Sequence, residues 1–148
     1  MYQLGKLSAQ DRDTKTLQLF EEELKSFPTS DRAWFSLWGH RYKIANRSIQ
    51  AKTTITAEIR QLYEAHRSDP WAYKAAVLGF NQLGSNDEAV AIMREFVKRF
   101  PQDSSMDSLI PTFFGNWGNL EDLESLSARS QRWEDNSYYW YRLFQAYR

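Results

Sequence analysis

Residues able to do chemistry are few in this chain. It holds two histidines, His40 and His66, and no cysteine. A zinc-type site needs several such ligands one helical turn apart, and each histidine reads as standing alone. His40 is expected as a polar edge residue beside Trp38. His66 is expected at a helix end, where a positive charge suits the dipole. Glu21, Glu22 and Glu23 could supply carboxylates for a metal or for acid–base work, but they fall opposite an apolar stripe and read as a solvated face. No Gly-x-Ser-x-Gly elbow, phosphate loop or dinucleotide-type glycine pattern occurs. Gly79 and Gly84 are too few and too separated to cradle a phosphate. Catalysis, a cofactor and a metal are therefore not expected.

Aromatic residues make up 16% of the chain, including six tryptophans, enough to suggest a stacking platform for a sugar or nucleobase. Most of them share stripes with leucines, so core packing is the stronger expectation. The run Trp38-Gly39-His40-Arg41-Tyr42-Lys43 interleaves basic and aromatic residues, as single-stranded RNA contacts do. Against that, 19 acidic residues balance 19 basic ones, without the cationic excess that nucleic-acid binding needs. A nucleic-acid partner is not expected. Asn46-Arg47-Ser48 is a glycosylation sequon, a pattern of low specificity.

The elements that must position these residues all read as helices, because the apolar spacing stays at three and four and never alternates for long. Asp13–Phe27 carries Leu17, Phe20, Leu24 and Phe27 on one stripe. Asp31 to about Asn46 follows, capped by Ser30 or Asp31 and packing through Ala33, Trp34, Leu37 and Trp38. A third helix spans roughly Ala51–Arg67 through Ile55, Ile59, Leu62 and Tyr63. From Pro70 a helix bearing Tyr73, Ala76, Val77, Phe80 and Leu83 ends at Gly84, which can adopt the left-handed conformation of a helix stop. Ser85 and Glu88 then form an expected capping box. The next helix buries Ala89, Ile92, Met93, Phe96, Val97 and Phe100, and Pro101 stops it. Ser104–Trp117 reads as a helix kinked by Pro111. Asn119 caps a further one, with Asp122 as a short substitute for the capping-box glutamate, and Asn136 opens the last.

The Pro70–Asp103 pair has copies. Gly84 recurs as Gly118, 34 residues on, and GSNDEAVAIM aligns with GNLEDLESLS. Trp34 and Leu37 give a W-x2-L opening, and Phe27-Pro28 mirrors Phe100-Pro101. Ala89, Met93 and Pro101, like Thr16, Phe20 and Pro28, repeat one small–large–proline spacing. On these residues the chain resembles the tetratricopeptide-repeat (TPR) family in a degenerate form, from about Leu17 onward. It departs from the family with Trp38 in a glycine place and Arg41 in a tyrosine place. Half-a-TPR repeats have a similar appearance. Approximate units are 1–30 (partial), 31–69, 70–103, 104–137 and 138–148 (partial).

The resemblance implies an all-α fold, a right-handed α-solenoid of antiparallel helical hairpins with about seven helices. It also implies a scaffold that holds a protein or peptide partner on a concave face lined by the first helix of each hairpin. Carried over by register, that face takes Arg32, Phe35, Tyr42 and Lys43, then Trp71, Lys74, Leu78, Asn81 and Gln82, then Asn116, then Tyr139 and Arg142. Packing between repeats is an equal expectation for Phe35 and Leu78. A terminal-carboxylate clamp is not expected, because Lys74 is followed four residues later by Leu78 rather than asparagine. The alternatives are an architectural spacer beside a catalytic domain, or a half-a-TPR-type module of an RNA-processing assembly.

With 148 residues the chain is long enough for one domain with its own core. Both ends read as cut, so a fragment of a longer protein is expected. No run is long and apolar enough for a bilayer, and no basic-then-apolar leader opens the sequence; with no cysteines, the expectation leans to the cytoplasm.

Overall fold

The computed structural model describes residues 8–127 together with Tyr141, Phe144 and Gln145. Among the described residues there are seven helices and no strand. No helix among them is long and apolar enough to cross a membrane. The chain divides into two compact units, Met1–Gly84 and Ser85–Arg148, so the division falls inside the expected 70–103 repeat.

In the first unit, three helices begin at serine caps. These are α1 (Ala9–Ser26), α2 (Asp31–Ile44) and α3 (Ile49–Ala65). The hydroxyls of Ser8, Ser30 and Ser48 accept from the amides of Asp11, Ala33 and Ala51 at 3.1, 3.2 and 3.1 Å. Each cap satisfies an N–H that the first turn leaves without a helical partner. Ser8 and Ser48 thereby start α1 and α3 earlier than the apolar stripes suggest. Helix α4 (Pro70–Gln82) starts on Pro70, whose missing N–H costs nothing in a first turn. Beyond it, Gly84 takes φ +72, the left-handed stop expected of it.

Helix α2 is the centre of this unit, packed on α1, α3 and most extensively α4, while α4 also rests on α3. The core is Ala33, Leu37 and Trp38 of α2, Ile55, Ile59 and Tyr63 of α3, and Ala72, Tyr73, Ala76, Val77 and Phe80 of α4. The bulky Trp38 is accommodated by a glycine on the facing helix. A Cβ on Gly79 would lie 2.7 Å from the Trp38 ring. Tyr63 and Tyr73 meet edge to face at 5.0 Å, and the Tyr73 hydroxyl donates to the Arg67 carbonyl at 2.9 Å. Helix α1 has no buried residue.

The second unit holds α5 (Asn86–Arg99), α6 (Ile110–Trp117) and α7 (Leu120–Ser127), with α6 packed on both others. Its core joins Ala89, Met93 and Phe96 to Met106, Ile110, Phe114, Leu123 and Leu126. Two expectations are corrected here. Ser85 makes no side-chain cap, so the serine half of the expected box with Glu88 does not form. Its ψ is 63, against 161, 100 and 153 at the three serines that do cap. The helix expected from Ser104 begins only at Ile110, after a run of turns. Pro111 therefore sits in a first turn, where its missing N–H costs nothing, rather than inside a helix that it would kink. The Asn119–Asp122 box does form. The Asn119 amide donates to Asp122 Oδ2 at 2.9 Å, and the Asp122 amide donates to Asn119 Oδ1 at 3.0 Å. The helix expected from Asn136 lies outside the described residues apart from Tyr141, Phe144 and Gln145, and Tyr139 and Arg142 fall outside them.

Candidate functional site

In the first unit, α1, α2 and the end of α4 leave an open cleft of about 340 Å³. Thr16 and Phe20 line it from α1. Phe35, Ser36, Gly39, His40, Tyr42 and Lys43 line it from α2, Arg47 from the turn after α2, and Gln82 from the last turn of α4. Gly39 shapes one wall. A Cβ there would stand 2.7 Å from Gln82 Oε1, so the bare glycine lets the carboxamide lie against α2. His40 Nε2 is 3.4 Å from Asp13 Oδ1, within ion-pair reach, yet it is buried and in no hydrogen-bond geometry.

The cleft is cationic although the chain is neutral. Among the described residues no carboxylate lines it, and neither Lys43 nor Arg47 has an ion-pair partner. The turn bearing Arg47 is held in a demanding conformation. Asn46 and Arg47 take φ +54 and +52 in succession. The Arg47 amide donates to the Tyr42 carbonyl at 2.9 Å and the Asn46 amide to Lys43 at 3.0 Å, closing α2 in a left-handed stop without glycine. For a non-glycine residue the left-handed region costs roughly 1–2 kcal/mol.

Four residues carried over by register thus come together: Phe35, Tyr42, Lys43 and Gln82. The others do not line this cleft. Arg32 is exposed one turn earlier on α2, and Leu78 and Asn81 are half-buried on α4. Lys74 Nζ faces Asp31 Oδ2 at 3.8 Å. Trp71 tilts against the His66 ring at 4.9 Å. Asn116 is exposed on α6, in the second unit. Thr16, Phe20 and Arg47 are additions. The register carried over from the repeat spacing places candidates on α2, α4 and α6, so it passes over a turn residue and the neighbouring α1.

Three readings of single residues change. His66 is not alone, since Asp69 stands three positions on and its Oδ2 lies 3.1 Å from His66 Nδ1. Of the described tryptophans only Trp38 is fully buried, while Trp34 and Trp71 are half-buried and Trp117 is 36% exposed. In the 38–43 run, Trp38 has no free face for a base, and Arg41 is engaged by Glu58 through two hydrogen bonds, at 2.5 and 3.0 Å.

A second cavity, about 630 Å³, lies in the second unit beside Arg94, Phe114 and Asp122. Its polar centre is already engaged. Arg94 Nε and Nη2 donate to the two Asp122 oxygens at 2.8 and 2.9 Å, and the Asn119 amide adds a third bond. Burial works to raise the Asp122 pKa, but the Arg94 and Asn119 hydrogen bonds and the Arg94 charge outweigh it and hold it below the ordinary carboxylate value. This carboxylate acts as a strut between α5 and α7. Among the described residues no three His, Cys, Asp or Glu side chains gather as a metal site.

No family model matches the chain, and no curated protein or solved structure matches it.

Proposed function

We propose that the chain is a TPR-like protein-interaction module that takes a peptide or partner helix in the cleft between α1, α2 and the end of α4. The observation that carries this reading is the convergence of Phe35, Tyr42, Lys43 and Gln82 around one open cavity. Ring faces of Phe20, Phe35 and Tyr42 supply the apolar contact on which binding energy concentrates, and cations with an amide form its rim. The hairpin reading is supported by α2 packing most extensively on α4 although α3 lies between them in sequence. First helices of stacked hairpins are neighbours in that way.

The test is selection of displayed random 12-residue peptides on the whole chain, followed by affinity measurement on variants. Tyr42→Ala removes part of the apolar wall. Gly39→Ala pushes only the flexible end of Gln82, and alanine gains up to about 1 kcal/mol in helix propensity, so this variant remains folded. The selected peptides should bind each variant roughly tenfold more weakly, a loss near 1.4 kcal/mol, with the helical circular dichroism spectrum unchanged. Peptides bound equally by both variants, or no peptide selected, would leave the chain an architectural spacer.

A further inference from the structure

We infer that the occupant of this cleft is an acidic segment, with aspartate or glutamate side chains beside an aromatic or aliphatic anchor, and that Arg47 and Lys43 read its charge. This inference rests on the proposed peptide-binding role of the cleft. The chain has 19 acidic and 19 basic residues, yet the described residues place two cations and no carboxylate on this cavity. Two other arginines of the first unit are taken by carboxylates. Arg41 is held by Glu58 and Arg67 by Glu64. Lys43 and Arg47 have no such partner among the described residues, so their donors are open to an incoming anion.

Arg47 also stands where folding alone favours another residue. Its φ of +52 is a position that glycine occupies without strain, as Gly84 does at φ +72 after α4. Strain kept at a cavity wall accords with a side chain retained for what it contacts rather than for the turn it makes. The anchor follows from the remaining lining. Phe20, Phe35 and Tyr42 give the cavity an apolar floor, and Thr16, Ser36 and Gln82 offer hydrogen bonds to a peptide backbone. Asp13, the carboxylate nearest His40, is turned to that ring and does not line the cavity.

The experiment uses the same random 12-residue library on the whole chain, with Arg47→Gly and Lys43→Gln as the variants. Peptides that depend on Tyr42 should be enriched in aspartate and glutamate, and should lose roughly tenfold in affinity against either variant. Their affinity should fall as salt rises, since the pairing is partly exposed. Arg47→Gly should melt at the same or a higher temperature, which separates lost recognition from lost folding. If Tyr42-dependent peptides are neutral or basic, or bind Arg47→Gly as tightly as the parent, the acidic occupant is overturned and the cleft stands. If no peptide depends on Tyr42, both are overturned.

Discussion

Replacing Trp38 with alanine is expected to lower the unfolding free energy by about 3–5 kcal/mol, the range for emptying a buried aromatic site. The indole is 0% exposed and is the largest fully buried side chain among the described residues. It lies against the bare backbone of Gly79 on α4 and tilts against Trp34 at 5.4 Å. Neither wall can collapse cheaply into the space, because α2 is fixed on three sides by α1, α3 and α4. The same contact makes Gly79→Ala unfavourable by about 1–3 kcal/mol through overpacking, despite alanine's better helix propensity. In the double variant the new methyl enters the vacated space, so the combined loss should be smaller than the sum. Chemical denaturation followed by far-ultraviolet circular dichroism measures all three. A Trp38→Ala loss below about 1 kcal/mol, the range of surface changes, would contradict the packing described.

The second large effect is expected at Asp122. Asp122→Ala removes two charge-assisted bonds from Arg94 and the cap on the Asn119 amide. Hydrogen bonds to charged groups and a helix cap together contribute about 2–3 kcal/mol. The Arg94 side chain is 42% exposed and regains water, which keeps the loss from rising further. The pH dependence has a definite sign. The folded-state pKa of Asp122 is lowered, so the unfolded chain binds the proton more readily. The stabilisation is complete above the unfolded value of about 4 and is lost as pH falls through the folded value. The gap between parent and variant should therefore be full at neutral pH and close in acid. A gap that persists unchanged at the acid end would show that the carboxylate's charge is not what matters.

The helices were legible because their signals are local. Three-and-four spacing located them, Gly84 announced its left-handed turn, and Asn119 with Asp122 announced a reciprocal cap. Ser85 and Glu88 satisfied the same spacing rule and failed, since a cap also needs an extended backbone that Ser85 does not adopt. Pro111 was legible as a proline but not as a starting point, because the turns at 105–109 share the apolar spacing of a helix. Four of the ten lining residues could be read, Phe35, Tyr42, Lys43 and Gln82, because the repeat spacing of the sequence falls on α2 and α4. Phe20 and Arg47 could not, because their approach depends on how α1 and the turn after α2 fold back onto α2. Trp38 against Gly79 is a fact of the same kind. The bulk was visible in the sequence, whereas the bare helix face that receives it belongs to the packing of α2 on α4.

The most direct test of the central claim is amide chemical-shift perturbation of the isotopically labelled whole chain on titration with a selected 12-residue peptide. Binding in the cleft should shift Phe35, Ser36, Gly39, Tyr42, Lys43, Arg47 and Gln82 together and saturably, with the core amides of Ile55, Ile59 and Tyr63 less affected. Saturable shifts confined to other surfaces, with these seven residues unmoved, would contradict it.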